Sequence, residues 1–106
     1  MLRLGHYGPP GTIGASVWIP QDQRGLIVLE KLPPLANPGQ DYQLWLIDPA
    51  SNLPVSAGVI PTDGSGSVRY QFHAVANVRS VDRFAVTVEP KGGAPRPTGK
   101  IVLASN

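Results

Sequence analysis

Hydrophobic and polar positions along this chain alternate with a period of two, the spacing of half-buried strands rather than helices. In "SVRYQFH" (67–73), Val68, Tyr70 and Phe72 fall on one face and Arg69, Gln71 and His73 on the other. In "RFAVTVE" (83–89), Phe84, Val86 and Val88 oppose Ala85, Thr87 and Glu89. In "YQLWLID" (42–48), Tyr42, Leu44 and Leu46 share a face, and the other face, with Gln43, Trp45 and Ile47, is also partly apolar. That double-sided pattern predicts a central strand. Further strands are predicted at "TIGASVWI" (12–19), "GLIVLEKL" (25–32), "PVSAGVI" (54–60) and "KIVLAS" (100–105).

Turn-forming clusters separate these runs, at "PQDQ" (20–23), "PPLANPGQD" (33–41), "PASNLP" (49–54) and "PTDGSG" (61–66). About seven short strands at this spacing predict an all-β fold, an antiparallel β-sandwich of immunoglobulin-like size. One segment departs from the pattern. In "AVANVRSVDRF" (74–84), Val75, Val78 and Val81 recur every three residues. β-Branched residues are only middling helix formers, so it reads as a connection between sheets.

Composition narrows the classes of function. The 106 residues suffice for one domain with a real core. Apolar residues make up 42% and charged residues 15%, a globular composition. Glycine and proline number 12 each and are dispersed among apolar runs, as frequent turns require. The net charge of +2 comes from scattered basic residues, with no basic run to bind nucleic acid. Without cysteine there is no disulfide, thiol nucleophile or thiolate metal site. No apolar run approaches the ~20 residues of a membrane span. The opening "MLRLGHYGPPGT" is too broken for a signal peptide, so in a secreted or membrane protein Met1 would begin an excised piece.

The stretch "EPKGGAPRPTGK" (89–100) looks at first like a phosphate-binding loop. That loop needs Gly, four residues, then Gly-Lys and a hydroxyl residue. Here five residues separate Gly93 from Gly99, Ile101 follows Lys100, and Pro95 and Pro97 lack amide hydrogens to cradle a phosphate. Nucleotide binding is excluded on those grounds. A Gly/Pro connection between the last two strands is expected instead, with Gly92 and Gly93 free to take positive φ.

His6 and His73, far apart in sequence, read as surface residues rather than metal ligands. "GASVW" and "VSAGV" are not nucleophile elbows. Asp22, Glu30, Asp41, Asp48, Asp63 and Asp82 fall mostly in turns or at strand ends, where such residues commonly bond their own backbone. Glu89, beside the Gly/Pro stretch, is expected to accept backbone N–H bonds that shape it, or to bind a partner. Trp18 and Trp45 sit inside apolar strands and read as core; an exposed pair would mark a carbohydrate or partner surface. No catalytic, cofactor or metal site is expected.

Four stretches in order carry a resemblance: "LPPL" (32–35), "YQLWLI" (42–47), "VSAGV" (55–59) and "FAVTVEPKGGAPRPTG" (84–99). They resemble the C-terminal domain of anti-sigma-K factors of the RskA type, over roughly residues 13 to 103. The residues that carry it are Tyr42, Gln43, Leu44, Trp45, Gly58, Thr87, Glu89, Pro90, Gly92, Gly93, Pro95, Pro97, Thr98 and Gly99. Their role, structural or in partner contact, is left open.

The resemblance implies a single domain outside the cytoplasm, behind a membrane helix that this chain lacks. Residues 1–11 would be a flexible lead-in from the membrane side. It implies no enzyme, but the sensory or regulatory part of an anti-sigma factor that releases an extracytoplasmic-function sigma factor through regulated proteolysis. The implied partners are envelope proteases or sensors, with no sigma factor bound by this piece itself. A cell-envelope binding module for a polysaccharide or protein is the alternative. A small hydrolase using Glu89 ranks last.

Overall fold

The computed structural model describes residues 2–6, 13–48, 53–74, 76, 78, 81 and 83–105. Among them are eight strands: β1 (Leu2–His6), β2 (Ile13–Ile19), β3 (Arg24–Glu30), β4 (Gln40–Ile47), β5 (Pro54–Val59), β6 (Val68–His73), β7 (Arg83–Pro90) and β8 (Ile101–Ser105). A 3₁₀ turn, Pro20–Asp22, precedes β3. Each of the seven predicted strands is present. The eighth, β1, lies in the stretch read as a lead-in. It pairs antiparallel with β2 and with β8, a connection made by distant pairing rather than by local pattern.

All pairings are antiparallel, in the order β5-β4-β7-β8-β1-β2-β3-β6. The sheet folds over so that its two halves pack face to face. Ile27, Leu29, Val68 and Phe72 from β3 and β6 meet Leu44, Leu46, Phe84, Val86 and Leu103 from β4, β7 and β8 in one buried cluster. Phe72 and Phe84 join the halves edge to face, ring centroids 6.2 Å apart at 78°. On the other side Phe72 stacks on Trp18 at 6.1 Å and 12°, with Gly25 between them in the register. This is the predicted sandwich.

The two outermost strands, β5 and β6, meet at the open seam. The Tyr70 hydroxyl on β6 donates to the carbonyl of Ala57 on β5 (3.0 Å). The approach depends on a bulge in β5: Gln43 pairs with Val59 but Trp45 with Ser56, so β5 carries one extra residue. Gly58 takes φ +96° there, and a Cβ on it would lie 2.7 Å from the Tyr70 oxygen. Edge strands otherwise invite pairing with other chains, and this contact blunts both.

Of the 74–84 segment, residues 83 and 84 already belong to β7, the described residues 74, 76, 78 and 81 hold no helix or strand, and residues 75, 77, 79, 80 and 82 lie outside the described set. Gln23, in the β2–β3 turn, grips the connection with both amide atoms. Its Nε2 donates to Val78 O (2.6 Å) and its Oε1 accepts from Val78 N (2.8 Å). Val78 is fully buried and Val81 packs against the core.

Candidate functional site

β4 and β7 run side by side in the middle of one half, and both are buried on both faces. Their first face carries the apolar core. On their second face Asp41, Gln43 and Trp45 stand opposite Glu89, Thr87 and Ala85. Alternation alone would leave this row in water. Instead Gln43, Trp45, Thr87 and Glu89 are each no more than 3% exposed. Residues 91–100 fold back along this face and are fastened to it by side chains.

The fastening runs along the strap in sequence. Gly92 N donates to Asp41 Oδ2 (2.9 Å). Gln43 pairs with Ala94 in both directions: Ala94 N donates to Oε1 (2.8 Å) and Nε2 donates to Ala94 O (3.0 Å). Gln43 Nε2 also donates to Ser56 Oγ (2.8 Å), which accepts from Gly58 N as well (3.1 Å), tying the strap to the β5 bulge. At the far end, Glu89 accepts from Thr98 N (3.1 Å), Thr98 Oγ1 (2.6 Å), Gly99 N (3.2 Å) and Thr87 Oγ1 (2.5 Å). Backbone bonds from Lys91 N to Gly39 O (2.8 Å) and from Val88 N to Lys100 O (3.0 Å) close the two ends.

Glu89 is the centre of this arrangement. Burial alone would raise its carboxyl pKa. The hydroxyls of Thr87 and Thr98 and the amides of Gly99 and Thr98 outweigh that, and the group is held below the ordinary carboxylate value. Thr87 is also an acceptor: Trp45 Nε1 donates to its Oγ1 (2.8 Å). The result is a continuous chain, Trp45 N–H to Thr87 O–H to Glu89, in which each bond polarises the next. Replacing Trp45 by Phe removes the first donor and part of a fully buried ring, so about 2 kcal/mol or more of stability should be lost in urea titration, the bond together with the cavity left behind.

The family-bearing positions therefore divide by geometry. Tyr42 and Leu44 face the apolar core, where the Tyr42 hydroxyl donates to Pro33 O (2.7 Å) and burial raises its pKa. Gly58 forms the bulge. Gln43, Trp45, Thr87 and Glu89 form the second face. Pro90 ends β7, Gly92 and Gly93 turn the chain at φ +89° and +93°, Pro95 and Pro97 are exposed, and Thr98 and Gly99 sit on Glu89.

Sequence reasoning missed two members, Asp41 and Ser56. Asp41 read as a turn residue bonding its own surroundings, as Asp63 does through Ser65 N (2.9 Å). In fact it reaches a residue 51 positions away. No local signal marks it, because its place directly opposite Glu89 is set by the β4–β7 pairing.

Among the described residues no group of His, Asp or Glu could hold a metal ion. His73 is exposed on β6, and the side chain of His6 lies outside the described set. Glu89, 1% exposed and saturated with donors, offers no face to a substrate.

The family model described as "Anti-sigma-K factor rskA, C-terminal" matches residues 6–101. The chain belongs to this family. The RskA C-terminal match spans every strand of the second face and the whole strap. Curated relatives include anti-sigma-K factor RskA of Mycobacterium ulcerans, 33% identical over 90 residues, covering 83% of this chain and 36% of the relative. RskA of Mycolicibacterium vanbaalenii is 32% identical over 90 residues, covering 85% and 36%. RskA of Mycobacterium tuberculosis strain H37Ra is 35% identical over 96 residues, covering 89% and 39%. The chain thus spans a little over a third of the length of the curated relatives it matches. No solved structure matches. An anti-sigma factor family is regulatory rather than catalytic, consistent with a site built of internal hydrogen bonds.

Proposed function

We propose that this domain is the extracytoplasmic regulatory part of a membrane-anchored anti-sigma factor, controlling an extracytoplasmic-function sigma factor through regulated proteolysis. The observation that carries the reading is the inward use of Gln43, Thr87, Glu89, Thr98 and Gly99, which fasten a strap over β4 and β7, while Gln43, Gly58, Gly92, Gly93 and Pro95 also border the groove between β5 and the strap. A domain whose distinguishing residues maintain its own closure acts through being closed or open. Proteases cut extended chain, so closure protects and loosening exposes. Its partners in this reading are the envelope proteases or sensors of the pathway, and a separate part of the full-length protein holds the sigma factor.

The test uses the full-length protein in its own cells. Glu89→Gln weakens the strap without touching any other part of the protein. Expected are a shorter half-life of the intact protein on immunoblots after translation arrest and a higher output from a sigma-dependent reporter. An unchanged half-life, with the purified domain verified as destabilised, would overturn the reading.

The alternative, a cell-envelope binding module, has one observation in its favour. A groove of ≈ 640 Å³ runs between β5 and the strap, with Val55, Val59, Ala94 and Pro95 among its lining residues. Among the described residues it has no aromatic platform for a sugar: Trp45 is fully buried and Trp18 is stacked on Phe72. Within that alternative the groove suits a protein partner better than a polysaccharide.

A further inference from the structure

We infer that residues 91–100 open as one strap while the two packed halves of the sheet remain closed. The inference stands on the bonding pattern and not on the regulatory reading, so either can fail alone.

No residue of the strap belongs to the apolar core cluster or packs against it. Residues 95–100 are exposed, and Gly93 and Ala94 only partly covered. Its hold on the sheet is polar, through Asp41, Gln43 and Glu89 and a backbone bond at each end. The core between the halves, by contrast, is apolar and fully buried at Ile27, Leu44, Phe84 and Val86. Segments with few buried apolar contacts open at lower free energy than the core they cover.

The strap should also move as a unit. Pro95 and Pro97 restrict the chain between the Gln43 anchor and the Glu89 anchor, so neither end releases without pulling on the other. Gly92 and Gly93, both at positive φ, form the hinge on the β7 side. Opening lays bare the row of Gln43, Thr87 and Glu89 and turns residues 91–100 into extended chain bearing Lys91, Arg96 and Lys100. That is the form of chain a protease or a strand-pairing partner can take.

Hydrogen exchange on the purified domain, with Ile27→Val as the comparison, separates strap opening from global unfolding. Ile27 is buried between the halves, away from the strap. Its truncation should speed exchange of the Leu44 and Val86 amides about threefold or more. The Ala94, Thr98 and Gly99 amides should share one opening constant, faster than that of the core, and be unmoved by Ile27→Val. Trypsin cleavage after Lys91 and Lys100 should be equally unmoved. If the strap amides and the cleavage accelerate by the same factor as the core, the strap opens only by global unfolding and the inference is wrong.

Discussion

Gly99→Ala is expected to cost this domain about 4 kcal/mol or more, at the extreme of what one methyl group can do. A Cβ at position 99 would lie 1.6 Å from the carbonyl oxygen of Val88 and 2.8 Å from its carbonyl carbon. Both are backbone atoms of a central strand and cannot rotate away. The strap would have to lift, and lifting breaks the Gly99 and Thr98 bonds to Glu89. Gly92→Ala is the internal control. Gly92 has φ +89° but nothing within 4 Å of an added Cβ, so only the backbone penalty of about 1–2 kcal/mol applies. Urea titration followed by tryptophan fluorescence measures both. Equal, small losses at the two positions would mean that residue 99 is not pressed against β7.

The second large effect is at Glu89. Glu89→Gln places an amide donor among the hydroxyl and backbone donors of Thr87, Thr98 and Gly99 and removes the charge they were arranged to meet. The expected loss is about 3 kcal/mol near neutral pH. Its pH dependence follows from the depressed carboxyl. A carboxyl held lower in the folded state than in the unfolded one stabilises fully above its unfolded value, about 4.3 for glutamate. That contribution is lost as pH falls through the folded value. The stability gap between the parent and Glu89→Gln should therefore be constant from neutral pH down to about 5 and close progressively below about 4. A gap that stays constant into strong acid would show that Glu89 keeps no preference for its charged form.

The strands were legible because alternation is a local property. "SVRYQFH" and "RFAVTVE" each declare which residues face the core, and Phe72, Phe84 and Val86 are where that pattern puts them. The order of strands was not legible, because it depends on pairings such as that of β1 with β8, nearly a whole chain length apart.

The second face was legible in composition but not in burial. Thr87 and Glu89 alternate with valines in the manner of a solvated face. Only the return of the strap, 51 residues from Gln43 in sequence, removes them from water. Trp45 hints at this, since a large aromatic ring among Gln43, Thr87 and Glu89 would be out of place on an open surface. The glycines show the same division. Gly92 and Gly93 could be assigned to a turn from sequence, whereas Gly99 is required by contact with a strand beside it and by nothing in its own neighbourhood.

The claim on which the rest depends is that the Glu89-Pro90 and Pro97-Thr98-Gly99 elements meet each other across the strap rather than a partner. A double-mutant cycle between Glu89→Gln and Thr98→Val, read by urea unfolding, measures that meeting directly. Thr98 Oγ1 lies 2.6 Å from the carboxylate, so the two losses should overlap, with a coupling of about 1.5 kcal/mol or more. Losses that add to within about 0.5 kcal/mol would mean that the two residues do not touch in solution, and would contradict the account.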